Sequence, residues 1–153
     1  ICSMRNHIEH TTPDYNQITK NIWIGNNMCC TIHGAELLKL GFDADIDLEE
    51  NRAEEPPRTA IYLWLPTKDH TPPTIDQLHL GVVSLSECVR RNLKVYVHCK
   101  NGHGRGPTLV AAYLITTGLE PEAAVEFIKS KRPSIHLQES QIQALQSFNK
   151  KEE

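Results

Sequence analysis

Lys94-Val95-Tyr96-Val97-His98-Cys99-Lys100-Asn101-Gly102-His103-Gly104-Arg105-Gly106-Pro107-Thr108 runs from β-branched and aromatic residues, through a glycine-bearing turn, into a helix start. Residues Lys94 to His98 read as a compact strand. Pro107 suits the first turn of a helix that continues to about Thr117 and closes at Gly118. A strand that passes directly into a helix is the building unit of α/β folds, so this stretch sets the expected class.

The flanking sequence repeats the alternation. Asn21 to Gly25 reads as a strand, His33 to Leu40 as a helix stopped by Gly41, and Ala44 to Leu48 as a second strand. Ala60 to Leu65 is a near-continuous apolar run ending at Pro66, the pattern of a strand buried on both faces. Thr74-x-x-Gln77 is a capping box that opens a helix with an apolar stripe at Ile75, Leu78, Val82, Leu85 and Val89; Cys88 falls on its buried side. Pro121 opens another helix, with Ala124, Val125, Phe127 and Ile128 as its apolar side and Pro133 as its breaker. A last helix carries Ile142, Leu145 and Phe148. The expected architecture is α/β: one domain over residues 1–153, with a central, mostly parallel sheet and helices on both faces.

Composition limits the function classes. The 153 residues are 39% hydrophobic and 23% charged, with no apolar run long enough to span a bilayer, so no integral membrane association is expected. A net charge of -3 gives no general basic field, which argues against a nucleic-acid partner and makes any anion site local. Five cysteines, an odd number with one adjacent pair, do not make a disulfide framework. With no secretory signal at Ile1 to His7, they point to a reducing compartment, and a cytoplasmic location is expected; the first residue is not Met, so a trimmed leader stays open. Cys29, Cys30 and His33 lack a second paired spacing and read as structural, so neither a metal nor a cofactor is expected.

In α/β sheets ligands gather where strands end and helices begin, which directs attention to His98 through Arg105. Gly102 and Gly104 let successive N–H groups of the loop Lys100, Asn101, Gly102, His103 and Gly104 turn inward, and the next helix adds its positive end. That is a cradle for a tetrahedral dianion. Cys99 at its mouth is expected to be a thiolate and a nucleophile. Arg105 offers a planar fork for two phosphate oxygens. A thiolate that displaces an alkoxide from phosphorus needs an acid on the leaving oxygen. Asp69, in the proline-flanked loop Pro66 to Pro73, is the candidate for that acid and for the base of the second step, with His70 as runner-up. His98 reads as a packed support for the turn, and Glu49, Glu50, Glu54 and Glu55 as a mostly solvated acidic run from which one residue could buttress Arg105. Arg132 reads as a surface charge. Cys-x5-Arg alone is a weak pattern; the strand before it, the glycines within, the helix after and the acid loop make it specific.

With these features in place, the chain resembles the cysteine-dependent phosphatases of the dual-specificity class, whose signature His-Cys-x5-Arg is matched by His98, Cys99 and Arg105. The resemblance extends from about Tyr15 to Phe148 and includes Ile22-Trp23-Ile24-Gly25, the Pro-Thr-x-Asp loop ending in Asp69, Ala111-Ala112-Tyr113-Leu114 and Arg132-Pro133-Ser134-Ile135. Leu63 to Asp69 and Lys100 are most similar to the mitochondrial-type lipid phosphatases, the laforin-like group and small prokaryotic members. The resemblance implies a protein tyrosine phosphatase-like fold, with Cys99 as nucleophile, Arg105 as phosphate clamp and Asp69 as acid. It also implies a cysteinyl-phosphate intermediate. The family usually carries Ser or Thr after the signature arginine, to assist the departing thiolate; here Gly106-Pro107-Thr108 follows, so slow breakdown of the intermediate is expected unless Thr108 substitutes.

The expected activity is that of a dual-specificity protein phosphatase acting on phosphotyrosine and phosphoserine/threonine. A phosphorylated protein is the expected partner, ahead of a phosphorylated small molecule or lipid head group, for which Lys100 and His103 would add rim charge. Two further alternatives are a slow or non-hydrolysing phosphate-binding module, because of Gly106, and a rhodanese-like sulfurtransferase, against which Arg105 and Asp69 argue.

Overall fold

The computed structural model describes residues 14–27, 35, 37–51 and 59–152. Five strands, β1 (Tyr15–Gln17), β2 (Ile22–Gly25), β3 (Ala44–Asp47), β4 (Ile61–Trp64) and β5 (Val95–His98), form one sheet in the order β1-β2-β5-β3-β4. Among the described residues only the β1–β2 pair is antiparallel. Central β5 is paired on both sides, and its Val95, Tyr96, Val97 and His98 are all buried, as a β-branched and aromatic run between two neighbours should be.

Four helices follow among the described residues: α1 (Ile75–Arg90), α2 (Arg105–Thr116), α3 (Pro121–Lys131) and α4 (Glu139–Glu152). The Thr74/Gln77 capping box is formed in both directions, and Leu78, Val82, Leu85 and Cys88 of α1 are buried. Burial pushes the Cys88 thiol above its ordinary pKa, with Asp43 and Glu87 adding to the shift, as suits a core residue. Helix α2 is apolar almost all round from Leu109 to Ile115, and every residue from Arg105 to Ile115 is buried against the sheet, α1, α3 and α4. It starts two residues before the expected Pro107. Pro107 then falls among the first helical positions, whose N–H groups have no intrahelical acceptor, so its missing donor costs nothing there.

The opposite face of the sheet carries a smaller cluster of Leu37, Phe42 and Tyr96, edged by Tyr15 and Trp23. Of the expected 33–40 helix, residues 35 and 37–39 are helical, Leu40 is already in the closing turn, and 33, 34 and 36 lie outside the described residues. Its end is a Schellman motif: Gly41 has φ +80°, Phe42 N–H donates to Leu37 O and Gly41 N–H to Leu38 O.

One strand corrects the reading of the sequence. β4 is not buried on both faces; among the described residues it pairs only with β3 and forms an edge, with Ile61 45% and Trp64 40% exposed. A short apolar run carries the same pattern at an edge as at the centre, because its composition is silent on whether a second neighbour exists. Ile75 and Phe127, expected on apolar faces, are also exposed. Cys29, Cys30, His33, Glu54 and Glu55 lie outside the described residues. Among the described residues no helix is long and apolar enough to cross a membrane, and no group of three His, Cys, Asp or Glu residues is placed to hold a metal.

Candidate active site

Cys99 follows the central strand directly and Arg105 opens the central helix, so the five-residue turn between them sits at the middle of the sheet's C-terminal rim. A pocket of about 80 Å³ lies there. Cys99, Asn101, His103, Gly104 and Arg105 line it from the turn, Asp69 and His70 from the loop after β4, and His136, Gln138 and Gln141 from the segment entering α4. Cys99 and Arg105 are 2% and 3% exposed, so only one side of each faces the pocket.

The Arg105 guanidinium is held on several sides. Nη1 donates to the Thr67 carbonyl at 2.9 Å and lies 4.0 Å from Glu49 Oε1, while Nη2 is 3.4 Å from Asp69 Oδ1. Glu49 is buried, unlike its exposed neighbour Glu50, and is the member of the acidic run that buttresses Arg105. The loop carrying Asp69 is tied down at both ends: Gln77 Nε2 donates to Pro66 O at 2.8 Å and Gln141 Nε2 to Thr71 O at 3.1 Å. Within the loop, His70 N–H donates to Asp69 Oδ1 at 2.9 Å. The exposed His70 ring contacts Asp69 Oδ2 at 3.6 Å.

Behind the turn, His98 is fully buried. Its Nε2 lies 2.7 Å from Asp45 Oδ1, and its Nδ1 3.7 Å from Asp47 Oδ1. The β3–β5 register sets Asp47 opposite His98. Burial raises the Asp47 carboxyl pKa, and His98 and the Tyr62 hydroxyl, 2.6 Å from Oδ2, oppose the shift. Asp47 also accepts from Glu49 N–H at 2.8 Å. His98 thus belongs to a buried polar network that reaches Glu49 and lies outside the pocket lining.

Gly102 has φ +73°, and a Cβ there would come within 2.6 Å of the Gly25 carbonyl oxygen, a backbone atom that cannot swing away. Gly102→Ala is therefore expected to shift the turn and lower turnover of an aryl phosphate by about tenfold or more. Steady-state assay and a melting curve on the same preparation check this; unchanged activity contradicts it. Gly106 has room: a Cβ would lie 3.8 Å from Ile24 and Val97 and 3.9 Å from Cys99 Sγ. The Thr108 hydroxyl donates to Gly104 O at 2.7 Å, so its proton serves the helix backbone.

The rim differs from expectation in charge. Lys100 is exposed and does not line the pocket. His103 does, but burial, then Arg132 and His136, lower its pKa, which favours the neutral ring near pH 7.

Sequence reasoning missed three residues outright. Gln138, Gln141 and His136 line the pocket, and Gln141 is fully buried. The signal for Gln141 was spacing: Gln138-x-x-Gln141 repeats Thr74-x-x-Gln77, and Gln138 N–H donates to Gln141 Oε1 at 2.8 Å. Gln is not a usual helix N-cap, which concealed it. Arg132, read as a surface charge, is a correction. It has no exposed surface, because backbone carbonyls and the side chains of Asp14 and Asn16 satisfy its guanidinium.

The chain is similar in sequence and in fold to known proteins. The rat protein named phosphatidylglycerophosphatase and protein-tyrosine phosphatase 1 is 43% identical over 96 residues, which is 58% of this chain and 47% of that protein. Mouse laforin is 29% identical over 169 residues, 93% of this chain and 51% of that protein. The chain spans about half the length of these curated relatives. Among solved structures, PTPMT1 in complex with PI(5)P gives a TM-score of 0.81 at 29% identity, covering 90% of this chain and 96% of that one. Tk-PTP in the active form gives 0.82 at 25% identity, covering 92% and 99%. The α/β fold is thus the tyrosine phosphatase-like one that the sequence implied. Residues 22–151 match the dual specificity phosphatase catalytic domain, and the chain belongs to that family.

Proposed function

We propose that the chain hydrolyses phosphate monoesters in two steps through Cys99. The observation that carries this reading is the convergence on one small pocket of Cys99 and Arg105, from the two ends of the turn after β5, with Asp69, from the separate loop after β4. The substrate dianion is taken up by the loop amides and by Arg105, whose fork also suits the trigonal transition state. The Cys99 thiolate attacks phosphorus, the bond to the ester oxygen breaks, and Asp69 gives that oxygen its proton. Water then attacks the cysteinyl phosphate, Asp69 takes a proton from it, and the sulfur–phosphorus bond breaks to return the thiolate.

Two substrate classes fall to this chemistry. Phosphotyrosine and phosphoserine/threonine in proteins are the expectation from the sequence. A phosphorylated lipid or polyol head group is supported equally, by the similarity to the rat phosphatidylglycerophosphatase and to the PTPMT1 structure with PI(5)P. Phosphate release is measured on a panel of an aryl phosphate, phosphopeptides and phosphoinositides, with the native chain and Cys99→Ser. Release by the native protein and none by Cys99→Ser is expected, and the preferred panel member names the class. Release that survives Cys99→Ser overturns the reading. A reducing compartment, the cytoplasm among them, suits a mechanism that needs a free thiol at Cys99.

Gly106 bears on the second step. With no hydroxyl at that position and Thr108 engaged by Gly104, the thiolate leaves unassisted. A pre-steady-state burst followed by slower turnover is expected with an aryl phosphate. Gly106→Ser fits the space beside Cys99 Sγ and is expected to raise the steady-state rate about 3–10-fold, the worth of one hydrogen bond. Equal burst and steady-state rates in the native chain contradict this. A module that keeps its phosphate and releases none is the limiting case of the same chemistry.

A further inference from the structure

Arg132, just past α3, is the largest fully buried side chain among the described residues, and the chemistry proposed above does not use it. Its guanidinium lies against the outer side of the phosphate turn. Nε donates to Gly102 O at 2.9 Å and Nη2 to Asn101 O at 3.0 Å. On the far edge, Nη1 donates to Asn16 Oδ1 at 2.8 Å and Asp14 Oδ1 at 3.2 Å, and Nη2 to Asp14 Oδ2 at 3.0 Å. All five N–H donors are thereby used, and the plane of the group is fixed.

In a trans peptide the C=O and the N–H of the next residue point in opposite directions. Holding the Asn101 carbonyl outward therefore turns Gly102 N–H inward, and holding the Gly102 carbonyl outward turns His103 N–H inward. The neighbouring peptides are held in the same sense: Asn27 N–H donates to Lys100 O at 3.0 Å and His136 N–H to His103 O at 2.9 Å. Four consecutive carbonyls, from Lys100 to His103, are thus bonded to donors, and Arg132 holds the middle two with a full positive charge. A cation on a carbonyl also polarises the peptide and strengthens the N–H dipole at its other end.

We propose that Arg132 is a positioning residue for phosphoryl recognition: by gripping the Asn101 and Gly102 carbonyls from outside the pocket, it aims and polarises the Gly102 and His103 amides toward the phosphate oxygens. This rests on the reading that the turn receives a phosphoryl group. The two donors that face the turn reach consecutive carbonyls of the same loop, Asn101 and Gly102, while the remaining three go to the Asp14 and Asn16 side chains.

The test is titration of the ¹⁵N-labelled protein with inorganic phosphate, beside Arg132→Met and Arg132→Lys. In the native protein the Gly102 and His103 amide resonances are expected to move with phosphate. In Arg132→Met those shifts should vanish, the phosphate Kd should weaken about tenfold or more, and kcat/KM for an aryl phosphate should fall further than Kd. Arg132→Lys, which can reach one carbonyl but not both in a planar fork, should fall between. A folded Arg132→Met protein that binds phosphate within about twofold of the native Kd overturns the proposal. Should Arg132→Met not fold, an unchanged Kd in Arg132→Lys overturns it and a weakened one supports it. Native protein that binds phosphate but hydrolyses no monoester refutes the hydrolytic reading and leaves the Arg132 comparison decisive; native protein whose turn amides ignore phosphate refutes both.

Discussion

Asp69→Asn is expected to cut hydrolysis of an alkyl phosphate about 10²–10⁴-fold, the range for losing a positioned general acid. An activated aryl phosphate should lose far less, because its leaving group departs without a proton. Asp69 is half exposed, at 51%, yet it lines the pocket with Cys99, and its Oδ1 is 3.4 Å from Arg105 Nη2. In the proposed mechanism a phosphate seated on Arg105 would take over that donor and leave the carboxyl at the ester oxygen. The His70 N–H on Oδ1 and the Gln141 tie to Thr71 keep the loop at the rim. The check is kcat/KM across esters of graded leaving-group pKa, where Asp69→Asn should steepen the dependence. A uniform loss on every ester moves the acid elsewhere, with His70 the first residue to test.

Arg105→Lys should lower kcat/KM about 10²–10³-fold on every substrate, whatever its leaving group. An ammonium can hold one phosphate oxygen as a point charge, but it lacks the fork that follows the phosphoryl group from tetrahedral to trigonal. The site is also unsuited to lysine. Thr67 O and Glu49, both in buried residues, are served by Arg105 Nη1, and a shorter, more strongly hydrated cation would have to abandon them or the pocket. Steady-state kinetics on an aryl phosphate and a phosphopeptide decide this, and a loss under threefold contradicts the assigned role.

How far the sequence carried the reading depended on whether a feature was local. The β5 strand, the glycine turn and the α2 helix are contiguous, and the Thr74 capping box is written in four residues, so both were legible and both formed. Cys99, Arg105 and Asp69 were reached by asking what chemistry a thiol beside a guanidinium would need, and they meet in one pocket. Long-range facts were hidden. Nothing within Ile61 to Trp64 says that β4 has one neighbour instead of two. Arg132 looked like any charged helix terminus, since its partners Asp14 and Asn16 are more than a hundred positions away. Gln141 enters the pocket only because α4 packs beside α2, a contact that no periodicity in either helix announces.

The phosphorylation state of Cys99 during turnover bears most directly on the mechanism. Native protein mixed with an aryl phosphate and acid-quenched on the millisecond scale is digested, and its peptides are weighed. One phosphoryl group on the Cys99 peptide, appearing before free phosphate and absent from Cys99→Ser, is the expected result. Phosphate released while the Cys99 peptide stays unmodified at every time point, or a phosphoryl group found on another residue, would contradict it.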